Sequence, residues 1–152
     1  MTDFAWKDYP SGASISITLN NTITAGALSL GSTVINNTGS ASSPLTRYDS
    51  IDVEVILASL AATANYIEGW LVPSLDGTNF QTVDATARPV AGGALRYAQA
   101  WVVSGTSAKR GVLQFDGLRP RWYKFLFCNS LGVTLANSGN SANWRGTLRE
   151  TR

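Results

Sequence analysis

Apolar residues recur at every second position in several short stretches of the chain, and turn residues separate these stretches. Ile15, Ile17 and Leu19 alternate with Ser14, Ser16 and Thr18, the period of a strand with one buried face. Ile51, Val53, Val55 and Leu57 repeat the pattern with Asp52 and Glu54 between them, which predicts a strong strand within 47–60. Tyr66, Glu68, Trp70 and Val72 alternate with Ile67, Gly69 and Leu71 and predict another over 66–73. Pro73 has no N–H to give a ladder, so it belongs at a strand end, an edge or a bulge. Asp76-Gly77 then reads as a turn, because Gly accepts positive φ and Asp bonds its own downstream backbone. A brief return strand is expected over 80–84.

Further strands are predicted over 97–104, 112–115, 121–128 and 141–151, with weaker ones over 22–36 and 133–136. Asp116-Gly117, 129–132 and 138–140 mark turns. The polar stretch 36–44 and the segment 85–93 read as loops, and 58–65 as a loop or a helical turn. The run 121–128 is the densest apolar one, and its Trp122, Phe125 and Phe127 demand core positions. Over 141–151, Ala142, Trp144, Gly146 and Leu148 share one face, and Asn143, Arg145, Thr147 and Arg149 the other. Eight to ten short strands, without helical periodicity or βαβ alternation, give an all-β fold, an antiparallel two-sheet β-sandwich. Pattern alone does not separate a jelly roll from an immunoglobulin-like topology. The chain exceeds the ~100 residues of a minimal immunoglobulin domain and lacks its paired cysteines, so the jelly roll is preferred.

Residues 1–12 stand apart. Phe4, Trp6 and Tyr9 precede Pro10 and Gly12, in a segment too short and irregular for a helix. We read 1–12 as an extended N-terminal arm and 13–152 as a single β-sandwich domain. Aromatic rings on such an arm need burial, either on their own domain or on a neighbour.

Composition narrows the chemistry. Only 14% of the 152 residues are charged, against about 25% in an average domain; Ser, Thr, Asn and Gly supply the polar surface. Such a surface loses little on desolvation and suits an assembly component or a stable β domain. Four bases face eight acids up to residue 108, and eight bases face two acids from Lys109 onward. The uneven split raises a basic face for nucleic acid or an acidic protein. No basic run exceeds Lys109-Arg110, however, so Arg on the outer faces of late strands is the simpler reading. There is no His, so the usual general base and commonest metal ligand are missing, and a Ser-His-Asp triad cannot form.

Single residues add little chemistry. Cys128 sits in the apolar run Phe125-Leu126-Phe127-Cys128 and reads as a buried thiol. Asp52 and Glu54 read as a solvated strand face rather than an acid–base pair. Asp76-Gly77-Thr78-Asn79 lacks the acidic alternation of a calcium loop and reads as a turn. No catalytic, metal or cofactor site is expected, and the expected activity is not enzymatic. Neither a secretory leader nor a membrane span is apparent, which points to assembly in a cytoplasm.

Several of these pieces in their order resemble a known family. They are Val53-Glu54-Val55, the stretch from Trp70 through Pro73-Ser74-Leu75-Asp76-Gly77-Thr78-Asn79 to Phe80, and the aromatic strand at 97–103. Leu118-Arg119-Pro120-Arg121-Trp122-Tyr123-Lys124-Phe125, Asn129-Ser130-Leu131-Gly132 and the closing 138–145 stretch complete the series. The arrangement resembles head decoration, or cement, proteins of tailed bacteriophages with a jelly-roll fold. The likeness covers about residues 45 to 150 and transfers no individual functional residue. It implies a structural protein on the capsid surface of a virion, assembled in the host cytoplasm. Such a protein oligomerises, often as a homotrimer, and bridges neighbouring subunits of the major capsid protein, with no nucleic acid, membrane or cofactor as partner. Under that resemblance Phe4, Trp6 and Tyr9 would be aromatic anchors, and Arg145 and Arg149 would meet acidic capsid surface. The rival of another class is a carbohydrate- or receptor-binding sandwich of a phage tail or adhesion apparatus, with Trp and Tyr as stacking platforms.

Overall fold

The computed structural model describes residues 4–15, 17, 19, 28–38, 48–59, 64–83, 89, 95–97, 100–119 and 121–151; of residues 4–13, 64, 96, 97 and 148–151 it describes the backbone. Ten strands run through them: β1 (Phe4–Ser14), β2 (Leu28–Leu30), β3 (Ile35–Asn36), β4 (Ser50–Leu57), β5 (Ala64–Ser74), β6 (Arg96–Tyr97), β7 (Trp101–Ser104), β8 (Lys109–Asp116), β9 (Trp122–Ser130) and β10 (Ser141–Thr151). A four-stranded sheet has the order β1-β10-β4-β8. The other has the order β2-β9-β5-β6, with β3 also pairing β9 and β7 also pairing β5. All these pairings are antiparallel. The protein is an all-β, two-sheet antiparallel β-sandwich.

The alternation along the chain explains what lies between the sheets. Ile51, Val53, Val55 and Leu57 of β4 are fully buried and face Ile67, Leu71, Phe125 and Phe127 of the opposite sheet within one cluster. Phe115 of β8 meets Phe125 of β9 edge to face, with ring centroids 6.3 Å apart, a preferred aromatic geometry. Gly69 is required at this contact. A Cβ there would come within 2.7 Å of both Leu113 Cδ1 and the Phe125 ring, so any larger residue would push the sheets apart.

Four expectations need revision. The strand over 13–19 ends at Ser14, although Ile15 and Leu19 keep their buried positions. The return strand over 80–84 shrinks to a single bridge between Ser74 and Phe80, with Asp84 outside the described residues. The strand over 133–136 is absent: the Asn129 side-chain amide donates to the Val133 carbonyl at 2.8 Å, taking the place of a ladder bond. The run 97–104 divides into β6 and β7. The predicted turns hold, with Gly77, Gly117, Gly132 and Gly139 all at positive φ.

Three buried asparagines fasten the connections. Asn37 donates to the Tyr48 and Arg119 carbonyls and accepts from the Tyr48 N–H. Asn140 donates to the Leu19 and Ala136 carbonyls and accepts from the Ala58 N–H at 2.9 Å. Asn129 adds an acceptor for the Leu131 N–H. Each satisfies loop backbone groups that would otherwise be buried without partners.

The expected 1–12 arm lies against its own sheet from Phe4 on. β1 pairs with β10 and crosses the boundary drawn at residue 12, with a register shift between Tyr9 and Ala13.

Candidate functional site

The outward face of the four-stranded sheet collects most of the polar residues that the alternation exposes. On β4, Asp52 and Glu54 point away from the core, since Ile51, Val53 and Val55 point into it. The register places Arg145 directly opposite Asp52 and Asn143 opposite Glu54 on β10. On β8, Gln114 stands opposite Asp52 and Val112 opposite Glu54. Ser14 of β1 donates to Asn143 at 3.3 Å. Together Asp52, Glu54, Val112, Asn143, Trp144 and Arg145 line an open cleft of about 480 Å³. Trp144, opposite Val53, packs on the main core beneath it, with its ring edge-on to Tyr48 at 5.7 Å between centroids.

The charges in this cleft pair across strands. Arg110 Nε lies 3.4 Å from a Glu54 carboxylate oxygen, with the two side chains 68% and 32% exposed. An ion pair that exposed contributes at most about 1 kcal/mol. Two acids of the first part of the chain, Asp52 and Glu54, therefore sit between the basic strands β8 and β10 and give this face both signs of charge. The arrangement offers donors, acceptors and both signs of charge to a polar partner surface. Among the described residues, no group of three or more Cys, Asp or Glu is placed to hold a metal ion.

The five predicted contact residues fall on two neighbouring strands. Phe4, Trp6 and Tyr9 lie on β1, and Arg145 and Arg149 on β10. Trp6 stands opposite Arg149, Tyr9 opposite Gly146 and Phe4 opposite Thr151. Arg145 is exposed at the cleft; the register brings together Trp6 and Arg149 but leaves Arg145 nearer to Asp52. The cleft itself was not foreseen. Asp52-Val53-Glu54 and Asn143-Trp144-Arg145 each show outward polar residues at period two, but nothing local tells which strands adjoin.

A second polar feature is the loop after β5. The Asp76 carboxylate accepts from the Asn79 N–H at 2.7 Å, the Asn79 amide at 2.8 Å, the Thr78 N–H at 2.8 Å and the Ser74 hydroxyl at 2.9 Å. These bonds favour the ionised form and hold the carboxyl well below the usual carboxylate range, the Asn79 N–H most strongly. Gly77, with φ of 75°, sits against the Trp122 indole, where a Cβ would approach to 3.0 Å. The loop is thus a self-satisfied turn packed on β9, as expected of Asp76-Gly77.

The outward face of the six-stranded sheet is different again. Trp70, Val72, Leu126 and Cys128 form a second buried cluster there, joined by Leu28, Phe80, Val83 and Leu95. Cys128 is buried with a free thiol, in line with its apolar run. Glu68 is fully buried at the margin and accepts a hydrogen bond from Ser130 Oγ at 3.0 Å. Its sequence signal is a carboxylate on the same strand side as Trp70 and Val72, which the alternation shows without telling whether that side is covered.

No known family model matches the chain, and no curated protein is similar to it at a significant level.

Proposed function

We propose that this protein is a non-enzymatic structural component of a tailed-phage virion. In this reading it binds the outer capsid surface as a homo-oligomer and stabilises the shell by bridging neighbouring major capsid subunits. The observation that carries the reading is the strand order. With β2 and β3 counted as one position and β6 and β7 as another, the sheets run 1-8-3-6 and 2-7-4-5, which supports a jelly roll over an immunoglobulin-like sandwich. That is the fold the resemblance to head decoration proteins implies. The candidate contact residues lie on the adjacent strands β1 and β10, with Phe4, Trp6, Arg145 and Arg149 at register positions of one side and Tyr9, opposite Gly146, at a position of the other.

The mechanism is linkage: a protein that binds adjacent subunits together, and not the separated ones, stabilises the joined state. The rival sugar-binding reading calls for a row of exposed aromatic rings. Among the described side chains, Tyr48, Trp70 and Tyr123 are buried, and Tyr66, Trp101, Trp122 and Trp144 are half-buried. Core packing uses the Tyr48, Trp70, Trp101, Tyr123 and Trp144 rings, which leaves the structural reading ahead.

The test is co-sedimentation of the full chain with empty capsids of the phage that encodes it, with shell melting followed in parallel. Binding accompanied by a raised shell melting temperature supports the proposal; absence of binding refutes it. Deleting 1–12 is a poor companion experiment, because it removes most of an edge strand. Trp6→Ala and Arg149→Ala are the better variants, and each should weaken shell binding if this surface is the contact.

A further inference from the structure

We propose that the free edge of β8 pairs with the same strand of a second copy about a two-fold axis, joining two four-stranded sheets into one. A sheet edge exposes a row of unpaired N–H and C=O groups, and stable proteins guard such edges. Three of the four edges here carry guards. The six-stranded sheet ends in fragments of two to four residues, β2 with β3 on one side and β6 with β7 on the other. At the β1 edge the ladder is interrupted by the register shift between Tyr9 and Ala13. β8 is different: eight residues pair with β4 without a break from Lys109 to Asp116. Among the described residues β4 is its only ladder partner, and none of them pairs with its other side.

The side chains of β8 select a register. In an antiparallel pair, directly opposite residues share a face, so outward residues must meet outward residues. Those are Arg110, Val112, Gln114 and Asp116, all exposed, with Val112 at 56%. With Leu113 on the two-fold axis, Arg110 of each copy stands opposite Asp116 of the other, and Val112 stands opposite Gln114. The two copies thus form two opposite-charge pairs. Any other same-face register leaves both residues without an opposite charge across the seam, and a parallel arrangement sets like charges side by side. The charges that block random edge association therefore specify this one. On the inner face Gly111 then stands opposite Phe115, leaving room beside the Trp101 ring that already covers Gly111.

The contact is an interface between copies of this chain and needs no capsid, so its failure leaves shell binding untouched. It is smaller than the roughly 1,600 Å² of a standard interface, and a dimer that dissociates on dilution through the micromolar range is expected. The test is sedimentation of the full chain, of Arg110→Asp, of Asp116→Arg, and of the two variants mixed in equal amounts. Each variant alone faces like charges at both ends and should dimerise about tenfold more weakly or worse. The mixture restores both charge pairs and should recover association to within about threefold of the native chain. Hydrogen exchange on the native chain adds a readout free of substitutions: β8 amides should gain protection as concentration rises. A native chain that stays monomeric, a trimer indifferent to both substitutions, or a mixture that fails to recover would each overturn the proposal.

Discussion

On the outward face of the four-stranded sheet stand Ser14, Asp52, Glu54, Gln114, Asn143 and Arg145. The equivalent positions of the six-stranded sheet carry Trp70, Val72, Leu126 and Cys128, all at most 1% exposed. The first face is wet and of mixed charge; the second is an extra apolar layer. The difference follows from strand composition. β4, β8 and β10 alternate, as strands with one solvated side do. From Ile67 to Val72 and from Phe125 to Asn129 every residue is buried, because both faces are covered. The proposed shell contact would accordingly fall on the polar face and its edge, while the other outward face holds the fold together.

That comparison can be broken in order of expected effect. Trp70→Ala should cost about 3–5 kcal/mol in a chemical denaturation series, since it empties a buried site; a loss under 1 kcal/mol would mean the outer layer is not a real core. Next comes Asn140→Ala, which strands the Ala58 N–H and the Leu19 and Ala136 carbonyls; about 1–3 kcal/mol is expected from the same measurement. Asp76 acts more locally. Its folded pKa is depressed, so the order it confers is present above about pH 4, the unfolded range, and is lost as pH falls through the folded value. Amide signals of Thr78 and Asn79 followed by NMR should keep their bonded positions well below pH 4, and Asp76→Ala should abolish them at neutral pH. At the bottom of the scale, Gln114→Ala on the wet face should change stability by no more than about 0.5 kcal/mol.

Much of the architecture was readable because alternation reports one buried face directly. β4, β5, β9 and β10 lie where period two and the Asp-Gly turns put them. The pattern failed where a side chain replaced a strand. At Val133 the Asn129 amide makes the bond a ladder would have made, and Asn140 and Asn37 do similar work inside connections that their composition marks only as polar. Asparagine signals a turn by its own backbone preferences, and nothing local reveals whether its amide also reaches a segment 82 or 121 residues away. The cleft was hidden for a related reason: Asp52 and Arg145 become neighbours only through the β4–β10 register, a property of the whole sheet order. Glu68 shares its side of β5 with Trp70 and Val72, and alternation tells sides apart but not whether a second layer covers the outer one.

The central claim is that the polar outward face, and not the apolar one, meets the partner. Arg145 on the first face and Lys124 on the second, with its Nζ 4.4 Å over the Phe80 ring, give a matched pair of charges to remove. The most direct measurement is the shell affinity of Arg145→Gln beside that of Lys124→Gln. The account predicts a loss of about tenfold for the first and a change within about twofold for the second; equal losses, or a larger one at Lys124, would contradict it.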